Sequence, residues 1–178
     1  MRAFIGILIS DAAKSVAMKM DEELKRIGIV GKYVEKENMH VNLSFLDEIT
    51  EEVSQEISAK MDMIAKGCKK FMASVCSLKA IPNEKFVRVI AFDVEQEKEL
   101  LNSLSMKIQK SIGGDVKPPH VTLCRVKGIK DKKKFRETLE KYKTVCFADF
   151  EVSSIQLIKS ELGTEGPIYS VLHESKFS

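Results

Sequence analysis

Residues 40–46 read HVNLSFL and residues 120–126 read HVTLCRV, so two nearly identical stretches each begin with a histidine. The chain has three histidines, and His40 and His120 open these two copies. Both copies alternate polar and apolar residues, which predicts two half-buried strands. Two histidines in matched settings can take a proton from a nucleophile and give one to a leaving group.

The polar face of each copy carries the groups that phosphate chemistry needs. Because alternate side chains of a strand point to opposite faces, His40 and Asn42 share one face, as do His120 and Thr122. The same alternation predicts that Phe45 packs in the core. Imidazole can be neutral or charged near pH 7, and amide and hydroxyl donors can hold phosphate oxygens without a metal. The pattern therefore predicts a metal-free site for an anionic, tetrahedral phosphorus centre, with no cofactor.

The surrounding sequence predicts alternating strands and helices. Four amphipathic helices are expected, at residues 11–28, 50–67, 95–112 and 131–142. Strands or extended segments are expected at residues 2–9, 33–35, 39–46, 70–81, 86–94, 120–127, 145–159 and 167–174. Each histidine strand lies between two helices, so the pattern is an internal repeat. Two similar halves around a pseudo-twofold axis would place the histidine strands across a groove from each other.

Composition is that of a globular protein, with 44% hydrophobic and 31% charged residues among 178. No apolar run approaches the roughly 18 residues of a membrane span, and the first strand lacks the features of a signal peptide. We expect residues 1–178 to form one domain of two pseudo-symmetric lobes, without a membrane partner. The expected location is the cytoplasm. A monomer is expected, because the two-lobe fold can bury every amphipathic stripe.

The cysteines and the basic residues allow weaker interpretations. Four cysteines without a CxxC pair predict small buried apolar groups rather than a zinc site or a disulfide framework. The net charge is +3, but residues 127–143 hold eight Lys/Arg against three Asp/Glu. That segment either attracts a phosphate backbone or is a solvated helix face. His173 has no motif around it and is interpreted as a packed or surface residue.

The chain resembles the 2H phosphoesterases, which are named for two H-x-[T/S]-x motifs. Within them it is most similar to the RNA 2′,3′-cyclic phosphodiesterases, also called 2′-5′ RNA ligases or the LigT-like group. The likeness covers the opening MRAFIGILI, the two motif regions YVEKENMHVNLSFLDEI and PPHVTLCRVKGI, and the closing IQLIKSELGTEGPIYSVL.

This resemblance implies an α+β, bilobal, duplicated fold, with two antiparallel sheets lining a central cleft and helices outside. It also implies hydrolysis of a 2′,3′-cyclic phosphate at an RNA end, or of a cyclic nucleotide, to a 2′-phosphate. His40 would give a proton to the departing 3′ oxygen, and His120 would activate water. Thr122 and Asn42 would hold phosphate oxygens. Arg125 would neutralise phosphate charge, although simple alternation points it away from His120 unless the strand bulges.

One departure from the family motif is visible, because Asn42 stands where the family has Thr or Ser. An amide can still donate to a phosphate oxygen, but its fit and the reaction rate can differ. Two alternatives stay open on this basis. One is a binding module that holds a nucleotide or RNA end without turnover. The other is an RNA ligase that uses the same cleft in reverse.

Overall fold

The computed structural model describes residues 1–178, which form nine strands and four α-helices. In chain order they are Arg2–Leu8 (β1), Asp11–Arg26 (α1), Ile29–Tyr33 (β2), His40–Glu48 (β3), Glu51–Lys66 (α2), Phe71–Pro82 (β4), Val87–Gln96 (β5), Leu100–Ser111 (α3), His120–Ile129 (β6), Lys132–Lys141 (α4), Cys146–Val152 (β7), Ser154–Leu162 (β8) and Pro167–Lys176 (β9). None of the helices combines the length and apolar character that crossing a bilayer needs.

The strands form two antiparallel sheets, which confirms the predicted α+β architecture. The four-stranded sheet has the order β3-β1-β8-β9, and the five-stranded sheet has the order β2-β6-β5-β4-β7. Helices α2 and α3 pack on the first sheet, and α1 and α4 pack on the second. The two histidine strands belong to different sheets, and β3 contacts β6. The fold thus brings the two motif copies together, as the repeat predicts.

The chain crosses repeatedly between the two sheets. Strands β1 and β3 lie in the four-stranded sheet, whereas β2, which separates them in sequence, lies in the other. The chain returns to the four-stranded sheet only with β8 and β9. Buried side chains of both sheets join one hydrophobic cluster of 34 residues. Each sheet is therefore built from interleaved segments and not from one half of the sequence.

Two predicted helix starts are confirmed by their caps. The Ser10 hydroxyl accepts a hydrogen bond from the Ala13 amide at 3.1 Å, and the Thr50 hydroxyl accepts one from the Val53 amide at 3.2 Å. Such caps satisfy amides that have no partner within the helix. They fix where α1 and α2 begin after β1 and β3.

Other predicted boundaries are wrong for identifiable reasons. Residues 145–159 are two strands, because the chain passes at Ser153 from β7 in one sheet to β8 in the other. The third helix begins at Leu100, not at residue 95, because Lys98 and Glu99 have φ values of 50° and 55° that interrupt a right-handed helix. The short extended stretch predicted at residues 33–35 is the end of β2 and the loop that follows it.

The prediction of small buried apolar cysteines rather than a disulfide framework is wrong for two of the four cysteines. Cys76 on β4 lies opposite Cys146 on β7, with Cα atoms 4.0 Å apart, and the two form a disulfide. Cys124 is buried and Cys68 is half-buried, and both are free. The two cysteines are 70 positions apart in sequence, and nothing local indicated this pairing, which follows from the register of β4 with β7.

Candidate functional site

The two motif strands line one cavity of about 90 Å³. Strand β3 contributes His40 and Asn42, and β6 contributes Thr122 and Arg125. The rest of the lining comes from the end of β2, the loop before β3 and the β8–β9 hairpin: Lys32, Tyr33, Val34, Glu35, Asn38, Glu165, Gly166, Pro167 and Tyr169. Four of the five predicted site residues therefore meet in a space large enough for a phosphate group.

His120, the fifth predicted residue, is not part of this lining. It begins β6 two residues before Thr122 and is partly exposed. The buried Val121 between them points to the core. Because side chains alternate along a strand, His120 and Thr122 share the face that looks toward the cavity.

Both histidines are held in the same way by their own chain. The Nδ1 atom of His40 is 3.0 Å from the carbonyl oxygen of Asn38, and the Nδ1 atom of His120 is 2.8 Å from that of Pro118. A carbonyl oxygen only accepts hydrogen bonds, so each Nδ1 carries its proton and donates it. Each Nε2 is then left free to exchange a proton with a ligand.

His40 lies in an apolar, aromatic environment. Its side chain is buried against the edges of Phe4 and Tyr169, with ring centroids 6.0 and 5.8 Å away. Burial lowers the pKa of His40 from its usual value, and the charge of Lys14 adds a smaller effect in the same direction. The Asn38 carbonyl opposes this shift by accepting the Nδ1 proton. Without a ligand, the neutral imidazole is favoured.

Each motif strand contains a β-bulge at the leucine of its motif. The register between β1 and β3 skips Leu43, and the register between β5 and β6 skips Leu123. Both leucines and the residues after them, Ser44 and Cys124, are fully buried. Because two consecutive residues point inward, the side chains that directly follow each bulge are on the opposite face from that expected by alternation. In β6 the bulge at Leu123 places Arg125 in the cavity lining. The predicted role of Arg125 requires such a bulge.

The matching bulge in β3 overturns the prediction for Phe45. Its ring does not belong to the hydrophobic core cluster. It lies 6.3 Å from the ring of Phe4, which itself contacts His40 on the cleft side of β1. Phe45 is half-buried on the face that also carries His40. Simple alternation failed here for the same reason that it failed for Arg125.

Asn38 and Tyr169 are functional candidates that sequence reasoning missed. The Asn38 side chain donates from Nδ2 to the Pro167 carbonyl at 2.9 Å and so ties the loop before β3 to the β8–β9 hairpin. Tyr169, on that hairpin, packs edge-on against His40. Their role depends on the packing of segments about 130 residues apart. The only signal in the sequence was that Asn38 stands two residues before a motif histidine.

A buried polar group lies behind β6. Asp21 of α1 is 2% exposed and its Oδ1 has no hydrogen-bond partner, and burial raises its pKa to about 7. Burial also raises the pKa of the Cys124 thiol to about 11, so this thiol stays protonated. Gly31 allows β2 to approach here, since a Cβ at that position would collide with the Arg125 carbonyl.

Two further groups of metal-ligating or titratable side chains lie away from the cavity lining. Cys76, Glu95 and Cys146 have possible ligand atoms within 4.8 Å of one another, but the two cysteines are joined as a disulfide. His173 pairs with Asp62 of α2 at 2.8 Å, which agrees with its interpretation as a packed or surface residue. Neither group contributes to the cavity.

Comparison with known proteins places this geometry in a family. The family model described as LigT like Phosphoesterase matches residues 8–91 and 92–169, so each matched segment contains one motif histidine. A Methanocaldococcus jannaschii protein named RNA 2′,3′-cyclic phosphodiesterase is 38% identical, covering 98% of this chain and 99% of its own. An Aquifex aeolicus protein of the same name is 35% identical, covering 97% and 95%.

Solved structures show the same fold. A protein from Thermus thermophilus superposes with a TM-score of 0.83 at 22% identity, over 99% of this chain and 98% of that one. Escherichia coli LigT complexed with 3′-AMP has a TM-score of 0.76 at 17% identity, over 99% and 97%. With the family model matching nearly the whole sequence and relatives aligned end to end, this chain belongs to the LigT-like phosphoesterase family.

Proposed function

We propose that this protein is an RNA 2′,3′-cyclic phosphodiesterase, a hydrolase that opens the cyclic phosphate to a 2′-phosphate. The observation that carries the proposal is the matched orientation of His40 and His120, each donating Nδ1–H to the carbonyl two residues earlier. This leaves two Nε2 atoms for two proton transfers. Both relatives described above carry the same functional name.

The proposed reaction uses each histidine once. His120 takes a proton from water, and the water oxygen forms a bond to phosphorus while the bond from phosphorus to the 3′ oxygen breaks. His40 gives its proton to that departing oxygen. The products are a 2′-phosphate and a 3′-hydroxyl, and solvent restores the starting protonation of both rings. Proton transfers of this kind contribute about 10²- to 10⁴-fold each.

Substrate binding supplies the proton state that this scheme needs at His40. Burial favours the neutral ring in the free protein, but a phosphate anion close to Nε2 favours the charged ring. Asn42 and Thr122 then donate to non-bridging oxygens, and Arg125 offsets their charge, which increases in the transition state. All three line the cavity with His40. RNA ends and cyclic nucleotides present the same cyclic phosphate to this site. The 178 residues act as one domain and as a monomer, so that a single chain supplies every residue of the site.

The test is hydrolysis by EDTA-treated protein of an RNA oligonucleotide that ends in a 2′,3′-cyclic phosphate. We expect a 2′-phosphate product, and a loss of at least about 10²-fold in His40→Ala and in His120→Ala. His173→Ala is the matched control, because that histidine lies outside the cavity. Turnover within twofold of wild type in both motif variants would refute the mechanism. Saturable binding of a 2′-phosphate without any product would favour a binding module instead.

A further inference from the structure

A second concave surface, which we call the basic groove, lies at the C-terminal end of β6. It has a volume of about 580 Å³, and its lining includes Glu84, Lys85, Phe86, Lys127, Lys132 and Arg136. These residues come from the tip of the β4–β5 hairpin, the end of β6 and the start of α4. None of them lines the cavity that holds His40.

The charge of the basic groove is unbalanced and unpaired. Four of its lining residues are basic and one is acidic. None of these basic side chains forms a salt bridge with any residue of the chain. Exposed cations without partners attract anions from solution, most strongly a polyanion that meets several of them together.

An exposed aromatic ring lies beside these charges. Phe86 is 59% exposed, which is high for a phenylalanine. The Arg88 guanidinium lies 5.0 Å from its ring centroid, and the Asn83 side chain accepts a hydrogen bond from its amide at 2.9 Å. The ring is thus held in place with much of its surface open. A positively charged groove with an aromatic platform is the combination that binds single-stranded nucleic acid.

The start of α4 points to the same kind of ligand. Its first turn contains Lys132, Lys133 and Lys134 and no acidic residue, whereas α1 and α2 both place acidic residues there. Cations at a helix N-terminus oppose the helix dipole and destabilise the helix. A phosphate bound nearby would offset this cost. The N-cap carboxylate of Asp131, which accepts a hydrogen bond from the Lys134 amide at 3.0 Å, offsets only one of these three positive charges.

The basic groove continues from the proposed active site along one strand. Lys127 follows Arg125 of the cavity by two residues on β6. A strand rises about 3.3 Å per residue, so the seven residues from His120 to Lys127 span roughly 23 Å. Single-stranded RNA stacked at about 3.4 Å per nucleotide covers that distance with about seven nucleotides, and with fewer when it is stretched.

We propose that the basic groove binds the single-stranded RNA on the 5′ side of the cyclic phosphate end, with phosphates on its lysines and arginine and a base on Phe86. This proposal rests on the proposed function, because it takes the RNA end to be held at His40 and His120. It adds a substrate class, namely single strands of several nucleotides in preference to mononucleotides or very short fragments.

The experiment compares two cyclic-phosphate substrates, a dinucleotide and a single-stranded 12-mer. In the triple variant Lys127→Gln, Lys132→Gln, Arg136→Gln we expect kcat/KM for the 12-mer to fall at least about tenfold. We also expect the slope of log kcat/KM against log salt concentration to become shallower by about 2, because each of the three lost phosphate contacts contributes about 0.7 to that slope. The dinucleotide should be hydrolysed within twofold of wild type. Phe86→Ala should lower kcat/KM for the 12-mer alone, by at least about fivefold.

A matched control removes the same charge from the other lobe. Lys60, Lys107 and Lys110 are exposed on α2 and α3, and their combined change to Gln should leave both substrates within twofold of wild type. An equal loss of 12-mer hydrolysis in the control and the groove variant would overturn the proposal, as would a groove variant that matches wild type. A groove variant that cleaves RNA normally but loses a protein ligand would overturn it too.

The two proposals can fail separately. If wild type hydrolyses neither substrate, the proposed function is wrong. The groove is then tested by fluorescence anisotropy with a 12-mer that ends in a plain phosphate. A Kd raised at least about fivefold in the groove variant, but not in the control, would support RNA binding there, and an unchanged Kd would overturn it.

Discussion

The side chain of Asn38 provides a sharp test of how His40 is positioned. Asn38→Ala removes the Nδ2 donor that the Pro167 carbonyl accepts at 2.9 Å, in a residue that is buried. A carbonyl left without its donor costs about 1–3 kcal/mol. Since Pro167 is half-buried and water can reach part of the gap, we expect the lower end of that range in the free energy of unfolding.

The same substitution should reduce activity through the orientation of His40. The Asn38 carbonyl accepts the Nδ1 proton of His40, and the hairpin released from Asn38 carries Tyr169 against the same ring. If about 1.4 kcal/mol of that positioning is lost from the transition state, kcat/KM falls about tenfold. The assay is hydrolysis of a cyclic-phosphate RNA between pH 5 and 9, beside thermal or urea unfolding.

A control with a similar stability loss separates positioning from general destabilisation. Thr50→Ala removes the N-cap of α2, far from the cavity, and should cost about 1 kcal/mol without changing kcat/KM. Asn38→Asp places a carboxylate near His40, so the part of the pH profile that reports His40 should move to higher pH. If Asn38→Ala loses stability as Thr50→Ala does and keeps kcat/KM within twofold of wild type, the positioning role is wrong.

Three further predictions concern stability and phosphate binding. Between pH 3.8 and about 7 the folded protein keeps a proton on Asp21 that the unfolded chain releases, so the free energy of unfolding falls as pH rises through that range, by at most about 4 kcal/mol. Asp21→Asn should abolish this fall in urea titrations at pH 5 and pH 8, and an unchanged pH dependence would contradict the assignment. Loss of the disulfide, by Cys76→Ser, by Cys146→Ser or by adding reductant to wild type, should lower the free energy of unfolding by about 2–4 kcal/mol. Equal urea-unfolding midpoints with and without reductant would show that the disulfide does not contribute. Thr122→Val and Asn42→Leu should each lower kcat by about 10²-fold, because each loses a donor to a phosphate oxygen. Asn42→Thr restores the family motif and should remain active. A wild-type kcat in Thr122→Val would show that Thr122 does not bind the phosphate.

Much of the fold follows from local pattern. The matched histidine strands and the helical stripes predicted most of the elements and the opposition of β3 and β6. What local pattern could not provide is which strand pairs with which. The division of residues 145–159 between two sheets and the bond between Cys76 and Cys146 both arise from long-range pairing.

The candidate site was predicted in the same uneven way. His40, Asn42 and Thr122 follow from alternation alone, because they precede the bulge in each strand. Arg125 and Phe45 come after it, where a single skipped residue reverses the faces of the side chains that directly follow. Asn38 and Tyr169 reach the cavity only through tertiary contacts, and no periodicity in their own segments could have indicated them.

The paired bulges also give the cleft a direction. Two matched histidines by themselves would form a site that looks the same from either end, and a ligand could enter it in two opposite senses. The fifth position after each histidine differs between the two copies, because Phe45 packs near the ring of Phe4, whereas Arg125 lines the cavity. An RNA end is itself unequal, with an anionic phosphate on one side and an uncharged nucleoside on the other. We expect this inequality to favour one sense of binding, and that sense would decide which histidine faces the 3′ oxygen.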